Sequence, residues 1–280
     1  MRRALGHAVG GLALACVACA GGCKGRGETA TTTATATTAP ATAAGSAAQP
    51  ADAAALYKSG KAALADKRLR EAVDAFTRAT IAASDGELRA NAWLGLGAAY
   101  GELGDHAHEI AAYEQVTVLR PDDADGWRVL AEGMAAAGKR DRQAAALEHV
   151  IALDADDLSA YLDLAGLDVA VGKADESKDV YLRYEGRRRD AMLALGKAKD
   201  PAVRVAAAET LGGARDASTA RALVLALTDK DARVRVACAQ SLSRIGVDID
   251  PQIRPALKAL LAKEKDERVR AAVQEASAAR

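Results

Sequence analysis

Aromatic side chains are scarce in this 280-residue chain, which holds one Phe, two Trp and six Tyr, 3% of its residues. Alanine dominates instead, a composition that suits thin helix-to-helix contacts better than a broad β core. Histidine is rarer still, at four. Three remain beyond the first residues, and no nucleophile, base and orienting group fall together in a recognisable pattern. Enzyme chemistry therefore finds no support, and neither a cofactor nor a catalytic residue is expected. Cysteine occurs four times, and Cys16, Cys19 and Cys23 sit in a segment expected to be removed or lipidated, with no second pair or histidine cluster to complete a metal site. Cys238 is left without a disulfide partner, and its place in an apolar helical stripe marks it as a buried structural thiol.

What the chain does have is rhythm. Trp93, Trp127 and Tyr161 stand 34 residues apart, as do Gly104, Gly138 and Gly172, and Tyr113, Leu147 and Tyr181. A period of that length means one helical hairpin copied and stacked, each copy too small to bury its apolar face alone. Trp93-x2-Leu96-Gly97-x2-Tyr100, followed by Gly104, Tyr113 and Pro121, resembles the tetratricopeptide repeat. Trp127, Leu130, Ala131, Gly138, Leu147 and Val150 repeat the pattern, and Tyr161, Leu164, Ala165, Gly172 and Tyr181 repeat it again. An earlier copy, Leu56, Gly60, Ala72, Phe76 and Ala79, is set 37 residues before its counterparts, which we assign to a longer turn at Ser84 to Glu87. Glu109 departs from the family pattern, which has Ala there for close packing. Gly60 and Gly97 are expected to let two helix backbones approach, with Trp93 and Trp127 filling the space beside them. Gly104, Gly138 and Gly172 sit where each first helix must end in a left-handed residue.

A second rhythm follows Arg187-Arg188-Arg189. Asp200-Pro201-Ala202-Val203-Arg204 is echoed by Asp231-Ala232-Arg233-Val234-Arg235 and by Asp266-Glu267-Arg268-Val269-Arg270. Each Asp is placed to cap a helix with apolar spacing, such as Val234, Ala237, Cys238, Leu242 and Ile245. Shorter apolar helices are expected before them at Met192 to Leu195, Leu223 to Leu227 and Leu257 to Leu261, the last starting nearer Arg254 than Pro251 because of Pro255. The triple Asp-x-x-Val-Arg signature resembles HEAT repeats, a likeness that implies Asp caps and an Arg bridging neighbouring repeats. The expected fold is all-α, a right-handed α-solenoid of four tetratricopeptide-like hairpins (51–186) followed by about three HEAT-like hairpins (187–280).

The N-terminus reads as an export signal. Met1-Arg2-Arg3 is basic, Leu5 to Ala20 is mostly apolar, and Ala20-Gly21-Gly22-Cys23 resembles a bacterial lipobox. Residues 1–22 would be the signal peptide and Cys23 the lipidated residue; Cys19 competes as the site, and an ordinary cleaved signal is the bland alternative. Lys24 after the cysteine points, by analogy with two-membrane bacteria, to the outer membrane, facing the periplasm. The Ala- and Thr-rich stretch to Pro50 would be a solvated tether, spanning ~30 Å as a coil.

Zero net charge hides a division. Residues 51–186 carry 15 Lys and Arg against 25 Asp and Glu, a net of −10, while 187–280 carry 19 against 12, a net of +7. The basic part has no aromatic residue for stacking on bases, so nucleic acid is not expected; solvated helix faces are the simpler account, and an anionic ligand there the sharper one. His106 and His108, two apart before a helix, do not share a helical face as a metal pair would. Asp123-x-Asp125-Gly126 is better explained by helix capping than by calcium, since Pro121 takes the first-ligand position. In tetratricopeptide arrays the first helices line a concave groove, and that resemblance places Tyr57, Lys61, Asn91, Leu94, Arg128, Glu132 and Leu162 in it. The Lys and Asn clamp for a terminal carboxylate is not reproduced as a set, so an extended peptide or partner helix is the expected occupant. Function is read as a lipid-anchored, non-enzymatic scaffold or adaptor for proteins. The alternatives are an assembly factor for an envelope machine such as a secretin or pilus, and an accessory subunit of an enzyme.

Overall fold

The computed structural model describes residues 52–278. The expected signal peptide, the expected lipidation site Cys23 with its competitor Cys19, and the expected tether lie outside the described residues. Among those described there are thirteen helices and no strand, an all-α solenoid as expected. Four hairpins come first: α1 (Ala53–Ala65) with α2 (Leu69–Ala82), α3 (Gly86–Leu103) with α4 (His106–Leu119), α5 (Ala124–Ala136) with α6 (Arg140–Leu153), and α7 (Leu158–Ala170) with α8 (Ala174–Lys197). The second rhythm then gives α9 (Pro201–Leu211), α10 (Ala217–Ala226), α11 (Ala232–Ile245), α12 (Ile253–Lys263) and α13 (Glu267–Ala278).

Aspartate starts most of these helices. The side chains of Asp52, Asp85, Asp105, Asp123, Asp157, Asp200, Asp216 and Asp231 accept from backbone N–H groups in the first turns of α1, α3, α4, α5, α7, α9, α10 and α11, and Asp266 does so for α13. Each such cap contributes about 1 kcal/mol. Stops are equally local. Gly104, Gly138 and Gly172 have φ of 75°, 68° and 83°, and the next residue's N–H reaches back to Tyr100, Met134 and Asp168 carbonyls at 2.9, 2.8 and 2.8 Å. That is the Schellman closure, which the left-handed residue makes possible. Pro255 falls in the first turn of α12, where no N–H is needed, so that helix begins after Pro251 as its spacing requires.

Four features differ from the sequence expectations. The three extra residues of the first copy do not lengthen a turn; they lengthen α3, an 18-residue helix against 13 in α1, α5 and α7, started early by the Asp85 cap. Gly60 and Gly97 make room for aromatic rings of the second helix rather than for a backbone: a Cβ on Gly60 would stand 2.7 Å from Phe76, and one on Gly97 would collide with Tyr113. Tyr181, the periodic partner of Tyr113, is 48% exposed, because Ala165 stands where Tyr113 finds Gly97, and Val180 and Tyr184 are buried in its stead. Met192 to Leu195 is no separate helix; it is the last stretch of the 24-residue α8, whose first half closes the fourth hairpin.

Two cores result. Phe76 centres a small one with Ala63, Ala72, Leu96, Ala99 and Ala112, while a second runs unbroken from Ile110 on α4 to Ala276 on α13. The change of repeat type therefore occurs inside continuous packing. Glu109 is accommodated by glycine: its carboxylate is buried where side chains on Gly101 and Gly133 would otherwise lie, and His106 Nδ1 bonds it at 2.8 Å.

Candidate interaction surface

The first helices of the four hairpins carry all seven groove candidates, and the structure gives them unequal freedom. Tyr57 is half-buried against Phe76, ring centroids 5.9 Å apart, with the exposed Lys61 ammonium 5.7 Å from the Tyr57 ring. Leu94 and Leu162 are half-buried against the larger core. Asn91 accepts a hydrogen bond from Arg120 Nη2 at 2.9 Å, an arginine that also holds Glu87. Arg128 forms an ion pair with Asp157, the residue that caps α7. Glu132 and Lys61 are left exposed on α5 and α1. Trp127 and Tyr161 fix turns instead of offering themselves: Trp127 Nε1 donates to the Pro121 carbonyl at 2.9 Å and Tyr161 to that of Ala155 at 3.2 Å, each six residues back.

Arg128 is also the link to a cavity of about 560 Å³ where the two kinds of hairpin meet. Its walls come from α5, from the α6–α7 turn with Asp154, Asp156 and Asp157, from α9 with Glu209, from Gly212 and Gly213 after α9, and from Arg215 and Arg244. Gly213 lies against the start of α7, where a Cβ would stand 3.0 Å from the Ser159 nitrogen, so the turn after α9 packs directly on the fourth hairpin. Arg244 lies over Gly212 and donates to the Ser241 hydroxyl at 2.9 Å and the Glu209 carbonyl at 3.3 Å. Arg215 meets Asp163 at 3.3 Å. Charges of both signs thus line an open, polar recess. Glu209, Arg215 and Arg244 were invisible as a site in the sequence, because they belong to non-equivalent repeats and only packing brings them together.

The Asp and Arg signatures behave as the HEAT resemblance implies. Arg204 Nε and Nη2 donate to Asp229 at 2.7 and 2.8 Å, and Arg235 to Glu264 at 2.7 and 3.0 Å, each pair joining consecutive repeats. A second ladder runs from α8 through α10: Arg188 reaches Asp216, the α10 cap, at 3.3 Å and Arg221 reaches Asp250 at 2.7 Å. The arginines hold Asp229 and Glu264 below the ordinary carboxylate range, and Arg233 brings Asp231 down to about 2.

Other chemically suggestive residues are placed structurally. His106 and His108 are the first and third residues of α4, not part of the turn before it; His108 bonds Asp105 at 2.7 Å and stacks on Tyr100. Asp123 caps α5. Burial pushes the Cys238 thiol up to about 12, so it is not a thiolate at neutral pH. Among the described residues no group of three or more His, Cys, Asp or Glu is arranged to hold a metal ion, and no helix is long and apolar enough to cross a membrane.

The stacked hairpins define an all-α repeat protein. Residues 190–278 match the family model for HEAT repeats and residues 90–123 match that for the tetratricopeptide repeat, so the chain carries both kinds. No curated protein matches the chain. Among solved structures it is similar to MamA, at 19% identity and a TM-score of 0.45 over 51% of this chain and 82% of that one. It is similar also to a thermophilic TPR protein of Thermus thermophilus, at 19% identity and a TM-score of 0.36 over 68% and 99%. A third is the myosin chaperone UNC-45 from C. elegans in complex with a Hsp90 peptide, at 16% identity and a TM-score of 0.38 over 80% and 28%.

Proposed function

We propose that this protein is a non-enzymatic scaffold or adaptor that holds protein partners, anchored through a lipidated Cys23 to the outer membrane and facing the periplasm. The observation that carries the partner-holding part is the recess of about 560 Å³ at the junction of the two arrays, polar, open and bordered by Asp154, Glu209 and Arg244. Mixed charge on rigid helices suits an extended polypeptide, whose backbone and side chains can satisfy donors and acceptors together. The anchoring part rests on the basic start, apolar run and Ala20-Gly21-Gly22-Cys23 of the sequence. A tether from Cys23 would keep the recess near the membrane surface and raise the local concentration of whatever it holds.

A photo-cross-linking residue at position 209, introduced in living cells, tests the recess. Discrete protein adducts are expected, and Arg244→Glu should reduce them at least several-fold while circular dichroism stays unchanged. Adducts at the exposed Lys61 or Glu132 with none at 209 would move binding to the first helices of the tetratricopeptide-like part. Absence of adducts at all three positions would reject a scaffold role. The mass of the mature N-terminus decides between a diacylated Cys23, Cys19 and plain secretion.

A further inference from the structure

The turns that join the paired helices of the HEAT-like part are strung together by arginine, buried at Arg204 and half-buried at Arg235 and Arg270. Arg204 Nη1 donates to the Ala198 and Lys199 carbonyls of the α8–α9 turn while its other nitrogens hold Asp229 of the α10–α11 turn. Arg235 in turn donates to the Asp229 and Lys230 carbonyls and holds Glu264 of the α12–α13 turn, where Arg270 donates to the Leu261 and Glu264 carbonyls. Three turns are thereby fixed side by side along one edge. Each presents a lysine directly before its capping aspartate: Lys199, Lys230 and Lys265, with Lys197 and Lys263 beside them. All five are exposed, and among the described residues none forms an ion pair; of the nearby carboxylates, Asp229 is held by Arg204, Glu264 by Arg235, Asp231 by Arg233 and Asp266 by Arg268, while Asp200 caps α9 and Glu267 stays exposed, leaving five lysines against two carboxylates without an arginine.

Apolar surface lies beside Lys197 and Lys230 at one end of this row. A recess of about 380 Å³ between the end of α8 and α10 is lined by Met192, Leu195, Leu225 and Ala226, and its wall ends at Gly196 and Asp229, each followed in the chain by a lysine. Leu225 is 75% exposed, and Leu193, one turn before Lys197, is 53% exposed. Cations on long flexible stems beside bare aliphatic groups match the layered chemistry of a lipid surface, with phosphates outside and acyl chains within. Nucleic acid fits less well, since the arginines of this edge are engaged by the protein and residues 187–280 contain no aromatic side chain for a base to stack on.

We propose that this edge docks on an anionic phospholipid membrane, Lys197, Lys199, Lys230, Lys263 and Lys265 meeting the headgroups and Leu193 and Leu225 entering between them. The docking adds to the anchoring through Cys23 without depending on it. A full-length chain held only by its N-terminus would find the edge through its own field, and the recess at the array junction would then face a fixed direction.

Co-sedimentation of the full chain with vesicles of phosphatidylcholine, alone or with about one third phosphatidylglycerol, tests it. Binding is expected to favour the anionic vesicles and to fall as salt rises. A lysine near such a surface is worth roughly fivefold, so Lys199→Gln, Lys230→Gln and Lys265→Gln together should weaken binding by about 100-fold, and Leu193→Ser with Leu225→Ser should weaken it further. A contribution from the N-terminus, where Arg2, Arg3, Lys24 and Arg26 would also favour anionic vesicles, would survive the lysine substitutions unchanged, which separates the two readings. Equal binding to both vesicle types, anionic binding undiminished in the triple variant, or a preference of the lysine row for an acidic protein over vesicles would each overturn the proposal.

Discussion

Lys67 occupies the position in the first hairpin that glycine holds in the next three. Its φ is 59°, against 75° at Gly104, and the following N–H closes the same bond, Arg68 to the Ala63 carbonyl at 2.8 Å. A side chain in that conformation is strained by its own Cβ, and the exposed Lys67–Glu102 ion pair at 2.8 Å returns at most a few tenths of that cost. Lys67→Gly should therefore stabilise the protein by about 0.5 to 1 kcal/mol, after allowing for the looser unfolded chain that glycine brings. Urea unfolding measures it; a lower midpoint in the variant would mean that Lys67 does more than close a turn. The same scale explains why Glu109, a departure from the repeat pattern, is harmless. Gly101 and Gly133 vacate the volume its carboxylate needs, a compensation spread over two helices that a residue-by-residue comparison cannot register.

At the scale of the element, the helix boundaries were legible and the helix partners were not. Asp before an apolar stripe and Gly after one are local signals, and they located the starts of α5, α9, α11 and α13 and the ends of α3, α5 and α7, because capping involves neighbours along the chain. The ladders Arg204–Asp229 and Arg235–Glu264 were anticipated only as a habit of the repeat, without their acidic ends, since those lie in turns 25 and 29 residues away. The ladders have a measurable consequence in acid. Hydrogen bonds from Arg204, Arg235 and Arg233 lower the pKa values of Asp229, Glu264 and Asp231 in the folded state, the last to about 2. A folded-state pKa below the unfolded one contributes stability that is whole above about pH 4 and disappears as pH falls through the folded value. The protein should thus show level stability near neutrality and a loss between about pH 4 and 2, followed by circular dichroism. In Arg204→Met that loss should become shallower at Asp229, with a melting temperature several degrees lower at neutral pH because two carbonyls and a carboxylate lose their donor. An acid profile identical to the parent's would show that the Arg204 contact does not set the Asp229 titration.

For the whole molecule, α8 matters most. The 34-residue count and the later Asp-x-x-Val-Arg count suggested two arrays meeting near Arg187, yet that point falls in the middle of one 24-residue helix whose first half completes a tetratricopeptide-like hairpin and whose second half opens the HEAT-like one. Period is blind at such a place, because a junction between unlike repeats occurs once and has nothing to repeat against. The junction recess was hidden for the same reason. Repeat arrays unfold as neighbours coupled through their interfaces, so one helix shared between two array types, with a core continuous from Ile110 to Ala276, should make those residues melt together. Gly186 sits mid-helix with open space beside its Cα, and Gly186→Pro would break α8 there at a cost of about 3 kcal/mol without a collision elsewhere. Both tryptophans, Trp93 and Trp127, precede that point, and no aromatic residue follows Tyr184. Fluorescence therefore reports the first array alone, whereas circular dichroism reports both. In the parent the two signals should trace coincident urea transitions; in Gly186→Pro they should separate, with part of the helical signal lost before or after the fluorescence change. If the signals stay coincident in the variant, the coupling does not run through α8, and the contact of Gly213 with the start of α7 must carry it instead.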